Sequence, residues 1–202
     1  MIDYFKKLSI NRIAQNLLFL SSSENRLSLC HGRIGQIIFY YIYSRFANEP
    51  LYKEFADDLL DDISKQLLNN DQISFENGLC GIGWGIEFLI RNNFITGNTN
   101  VILEDFDKVI CSYNLNSLVD ISLNNGLGGI IAYYRSRVEG RTDISLINDN
   151  QFMFNLYASS KRFNIDCNSP EYSINEIWKD VLLLFSNCDE NSWQKAIYYM
   201  VQ

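Results

Sequence analysis

The chain has 202 residues, 47% of them hydrophobic and only 2 of them proline, with 17 basic against 24 acidic side chains for a net charge of −7. This is enough apolar material for one domain with a sizeable core, and too little clustered Lys and Arg for a nucleic-acid or anionic-membrane surface. No apolar run approaches the roughly 18 residues of a membrane span, and the opening MIDYFKKLSINR lacks the apolar centre of a signal peptide. Five cysteines without such a signal read as reduced thiols and predict a cytoplasmic location.

In chain order, the first signal is SLCHGRIG at 28–35, which places the only histidine beside a cysteine and opens the apolar run IGQIIFYYIY. Residues 51–68 follow as an amphipathic helix, with Leu51, Phe55, Leu59, Leu60, Ile63 and Leu67 on one face and acids and lysines opposite. SFENGLCG at 74–81 then opens IGWGIEFLI. A second amphipathic stretch covers 98–113, through Val101, Ile102, Phe106, Val109 and Ile110. SLNNGLGG at 122–129 opens IIAYY. Beyond Arg137 the pattern decays, although QFMFNLYASSKRF, INEIWKDVLLLF and SWQKAIYYMV still read as helices. No fourth glycine turn stands near 170, where CNSPEYS is found.

The three turns share the pattern Ser-[Leu/Phe]-x-[His/Asn]-Gly-x-x-Gly and recur at nearly equal spacing, 74 − 28 = 46 and 122 − 74 = 48 residues. A period of this size in a strand-poor chain means a repeated helix pair. Helices with one wet face alternate with helices apolar on every side, as in two concentric layers, and the turn always precedes the dry helix. Glycine there allows positive φ and close backbone approach. The first N–H groups of the dry helices would converge where the turns meet, in a place suited to anions, thiolates or polar backbone. The bland reading of each turn is a packing device.

The chemistry candidates are few. Cys30 and His31 carry good zinc donors, but zinc wants about four ligands, three of them from protein in a catalytic site. The positions matching Cys30 hold Glu76 and Asn124, and those matching His31 hold Asn77 and Asn125. Glu76 and Cys80 are the remaining donors near the turns, whereas Cys111 falls on the apolar side of its helix and reads as core. Asn77 and Asn125 also suit helix capping, and Ser28, Ser74 and Ser122 suit pinning each loop to the next helix. The run DDLLDD at 57–62 reads as a solvated acidic face rather than a magnesium–diphosphate site, since no basic cluster accompanies it. A hydrolytic pair needs two acids at the same end of the inner helices; Glu76 qualifies by position, Glu87 sits a turn or two inside its helix, and no second acid occupies an equivalent turn.

LCHGRIG, GLCGIGWGIEFL and NGLGGIIAYY resemble the repeated glycine motifs of the lanthionine synthetase C-like family, the lanthipeptide cyclases and their relatives, over about residues 1–140. The resemblance implies an all-α fold, an α/α toroid of helix pairs with glycine-rich turns before the inner helices. Three turns make only a partial, open array in a single domain over 1–202, its residues 141–202 an irregular helical region. It implies zinc held at one end by Cys30 and His31, activating a peptide cysteine whose thiolate adds to a dehydroamino acid and closes a thioether ring. His31 then becomes the candidate catalytic residue, and Asn77, Gly78, Asn125 and Gly126 the candidate binding surface for a precursor peptide. The family's other cysteine ligand would fall at Glu76 or Asn124, neither of them cysteine. The ligand set within the chain is therefore incomplete. The expectation is a degenerate, peptide-binding relative; the alternatives are a zinc cyclase completed by a homodimer or a maturation-enzyme partner, and a non-catalytic helical-repeat interaction module.

Overall fold

The computed structural model of the chain describes residues 4–20, 24, 26–64, 72–139 and 150–202. The expected helical residues 65–68 and most of the polar stretch after Val138 lie outside them. The described residues form ten α-helices and no strand: α1 (Tyr4–Leu20), α2 (Arg33–Ala47), α3 (Leu51–Ser64), α4 (Leu79–Arg91), α5 (Thr99–Ile102), α6 (Glu104–Cys111), α7 (Leu127–Val138), α8 (Asn150–Arg162), α9 (Ile174–Ser186) and α10 (Trp193–Val201). None of the described helices is long and apolar enough to cross a membrane.

The dry helices are as the sequence requires. Every residue of α2 from Arg33 to Tyr43 and of α4 from Leu79 to Leu89 is buried, as is α7 from Leu127 to Tyr134. Each starts immediately after the first glycine of its turn, with Gly32, Gly78 and Gly126 as N-caps.

The wet-faced helices differ in detail from the expected stripes. In α3 the buried line is Tyr52, Ala56, Leu59 and Ile63, while Leu51 is 61% exposed. The face is rotated because Tyr52 packs on the aromatic side of α2, stacked on Tyr40 at 6.1 Å and edge-on to Tyr43 at 4.7 Å between ring centroids. The expected helix at 98–113 is broken at Leu103 into α5 and α6. Its inward residues are Thr99, Leu103, Phe106, Asp107 and Ile110, whereas Val101 is 70% exposed. A buried aspartate on the inner face is what the apolar pattern did not announce. Cys111 ends α6 half-buried rather than in the core.

The chain divides into two compact units. The first holds residues 1–67 and 178–202, hence the first turn, α1 to α3, most of α9, and α10. The second holds 68–177, hence the second and third turns and α4 to α8.

Candidate functional site

The three turns are built alike from the backbone upward. The N–H of the first residue of each dry helix donates to a carbonyl seven residues back: Arg33 to Arg26 at 2.9 Å, Leu79 to Gln72 at 2.8 Å, Leu127 to Asp120 at 2.9 Å. This folds the loop across the helix N-terminus and presses a carbonyl onto the N-cap glycine. A Cβ on Gly32, Gly78 or Gly126 would lie 2.5, 2.3 or 2.4 Å from the oxygen of Arg26, Gln72 or Asp120. The glycines are therefore required by close approach. Positive φ, the other expected reason, is not used: φ is −132°, −125° and −115° at the three caps. The N–H groups expected to converge on an anion are in part taken by the loops themselves, beginning with these three bonds.

The serines clasp two of the turns. Ser74 Oγ accepts from the Asn77 N–H and Ser122 Oγ from the Asn125 N–H, each at 3.3 Å. In the first turn the buried Ser28 Oγ has no hydrogen-bond partner among the described residues.

The second and third turns are coupled directly. The carbonyl of Asn124 accepts from the N–H groups of Phe75 at 2.9 Å and Glu76 at 3.0 Å. Gly129 lets α7 approach closely enough that its missing Cβ would sit 2.7 Å from the Cβ of Phe75. Beside this junction lies a cleft of about 510 Å³ walled by Ser74, Asn77, Asn125, Gly126, Tyr113 and Leu118 among others. It brings together three of the expected binding residues, Asn77, Asn125 and Gly126. Gly78 is buried under Gln72 and serves packing.

At the first turn Cys30 is buried and His31 exposed. Cys80 is in the first turn of α4, wholly buried, where loss of hydration pushes its thiol well above the ordinary range. None of the five cysteines, all among the described residues, forms a disulfide. Among the aspartates of α3, Asp57 accepts from Tyr41 at 2.5 Å and pairs with Lys53 at 2.8 Å, and Asp62 lies 3.7 Å from Arg33.

A sequence profile described as lanthionine synthetase C-like protein matches residues 23–143, which takes in all three turns and their dry helices. The chain belongs to the lanthionine synthetase C-like family. Comparison with curated proteins and with solved structures finds no match. The all-helical architecture and the glycine turn ahead of each buried helix fit the family's α/α fold.

Zinc is the metal this family implies. By donor chemistry Cys30 and His31 suit it; by number they fall short, since no group of three or more His, Cys, Asp and Glu side chains that could hold a metal stands together among the described residues.

One polar centre was not expected. Arg137, near the end of α7, is fully buried and uses all five of its N–H groups. They reach Glu87 at 2.6 Å, Thr99 at 3.0 Å, Asn100 at 3.3 Å, and both oxygens of Asp107 at 2.7 and 3.2 Å. Tyr133 adds its hydroxyl to Asp107 at 2.6 Å. Burial and the Asp107 carboxylate push the Tyr133 phenol well above its ordinary range. Glu87 lies nine residues after Gly78, roughly 13 Å along the helix from the turn, so it is structural and not an acid of the turn end. The available signal was a lone acid in the otherwise apolar IGWGIEFLI, which demands a buried cation.

Proposed function

We propose that this chain is a peptide-binding scaffold in the modification of ribosomally made peptides, with the cleft between the second and third turns as its peptide site. The observation that supports this reading is the convergence of Asn77 and Asn125 on one cleft beside the hydrogen-bonded junction of the two turns. A carboxamide offers one acceptor and two donors, the set that an extended peptide backbone requires on each side. Tyr113 and Leu118 add apolar contact for a side chain such as a dehydroamino acid. The chemistry served is thioether formation: a C–S bond forms at the β-carbon of the dehydroamino acid as its double bond opens, and the α-carbon takes up a proton.

His31 is the only imidazole in the chain, and being exposed it stands where an outside donor could join it and Cys30. That favours a second reading, in which two copies each supply a Cys30–His31 pair and complete a four-donor zinc set at a two-fold axis. When bound, the metal would lower the pKa of a substrate thiol.

The test uses a synthetic peptide containing one dehydroalanine and one cysteine, followed by anisotropy for binding and mass spectrometry with thiol labelling for ring closure. The scaffold reading expects saturable binding, weakened about tenfold by Asn77→Ala and Asn125→Ala together, the cost of about one lost hydrogen bond. It also expects no ring closure above the uncatalysed rate. Ring closure that depends on added zinc and on dimer concentration would replace it with the second reading. Unchanged affinity in the double variant would remove the cleft from the account.

A further inference from the structure

The start of α10 bears on the first turn as the second turn bears on the third. In the second unit, the residue after Ser74 is Phe75, which fills the notch at Gly129 while the N–H groups of Phe75 and Glu76 hold the Asn124 carbonyl. In the first unit, the residue after Ser192 is Trp193. Its ring fills the notch at Gly35, where a Cβ would lie 2.2 Å from the indole. The next residue, Gln194, donates its Nε2 to the Cys30 carbonyl at 3.1 Å. Gly35 and Gly129 are the second glycines of their turns, and Cys30 and Asn124 occupy the same turn position. Ser192-Trp193-Gln194 thus meets the first turn in the residue order that Ser74-Phe75-Glu76 takes on the third, through side chains where the second turn uses backbone N–H groups and a Cβ.

The serine clasp repeats as well. Ser192 Oγ accepts from the Lys195 N–H at 3.1 Å, and its carbonyl from the Ala196 N–H at 3.1 Å, as Ser74 serves Asn77 and Gly78. Capping alone identifies nothing, because Ser173 makes the same two bonds at the start of α9. The docking on a turn glycine and on a turn carbonyl is what sets α10 apart. Ala196 stands where the turns carry their first glycine, and the helix begins directly at the serine. A side chain is accommodated at this position, which is why the motif is invisible to a search for glycines.

We propose that Ser192–Ala196 is a fourth, glycine-free copy of the turn, and that Trp193 and Gln194 are positioning residues for the Cys30–His31 pair. The first turn needs an external hold more than the others, since its own Ser28 Oγ makes no bond among the described residues. Gln194 fixes the peptide plane that carries Cys30, and Trp193 sets the depth to which α2 enters beneath it. The importance of the pair rests on the proposed function; the hold on it does not.

The test is site-resolved alkylation of the full chain with iodoacetamide, scored by mass spectrometry at Cys30 and at the buried Cys80 and Cys167 as internal references. Gln194→Glu keeps the size and removes the donor. It is expected to raise the Cys30 rate about fivefold to tenfold, the size of one lost hydrogen bond, with Cys80 and Cys167 unchanged and the melting temperature lowered by no more than about 2–4 °C. Trp193→Phe, whose ring lacks the distal Cη2 and Cζ3 atoms that meet Gly35, is expected to raise the rate part-way, and Trp193→Ala to raise it further. A wild-type rate at Cys30 in Gln194→Glu overturns the proposal. So does an equal rise at all three cysteines, which marks general loosening, and so does a Trp193→Phe rate as high as that of Trp193→Ala. The readout needs neither zinc nor peptide, so failure of the proposed function leaves it standing.

Discussion

The Asn124 carbonyl oxygen lies 2.9 Å from the amide nitrogen of Phe75, and this one bond, with the neighbouring one from Glu76, joins two turns that are about fifty residues apart in sequence. A junction made of backbone groups constrains side chains only where they would come between the strands of loop, and the glycines are those places. Gly129→Ala would put a Cβ 2.4 Å from the Leu123 carbonyl and 2.7 Å from Phe75 Cβ. We expect a loss of about 1–3 kcal/mol in chemical denaturation. Gly97→Ala, whose new Cβ would meet only the movable end of Ile102 at 2.8 Å, is expected to change stability far less.

Removing the cation from the buried Arg137 centre leaves Asp107 with the Tyr133 hydroxyl and Glu87 with the more distant Arg91, 3.9 Å away. Arg137→Met is expected to cost about 3–5 kcal/mol in urea denaturation. A loss near 1 kcal/mol or less would mean that water reaches the site.

Asp120 precedes the third turn and accepts the Ser122 N–H at 2.7 Å through its Oδ1. This backbone bond, with a further one from the Ser122 side chain, holds its carboxyl below the ordinary value of 3.8. A depressed folded pKa gives stabilisation that is present above the unfolded value and is lost as pH falls through the folded one. NMR titration is therefore expected to place the Asp120 midpoint below 3.8, with the Ser122 amide shift following the same curve. A midpoint at or above 3.8 would show that the turn opens in acid before the carboxylate protonates.

With two donors per chain, zinc content separates the readings of the first turn. We expect the purified monomer to hold well under one zinc per chain by elemental analysis, and Cys30→Ser to leave peptide affinity unchanged. About one half zinc per chain together with metal-dependent dimerisation would establish the shared site. About one per monomer would require donors from Glu76 or Cys80 and would restore a self-sufficient cyclase.

Much of the architecture was legible in the chain itself. IGQIIFYYIY, IGWGIEFLI and IIAYY in α2, α4 and α7 are apolar nearly all round, and burial is what satisfies such a segment, so they announce the core. The glycine turns were legible for the same reason: a recurrent spacing needs no knowledge of what lies alongside. The stripe of α3 was misplaced by a partial turn because Leu51 is the more apolar of the pair, and only the aromatic side of α2 selects Tyr52 instead. The inward turn of Asp107 is matched by Arg137, thirty residues away in sequence.

The sequence by itself determined the helical class, the alternation of dry and half-wet helices, and the place of each glycine turn, because these follow from local periodicity and from what each helix must hide from water. Tertiary structure decided which partners the turns take. That Asn77 and Asn125 share a cleft, that Glu87 is neutralised from α7, and that Trp193 closes on Gly35 are outcomes of contacts between distant segments. Such contacts leave no periodic trace, since a hydrogen bond or a filled notch needs one residue from each side and fixes nothing about its neighbours.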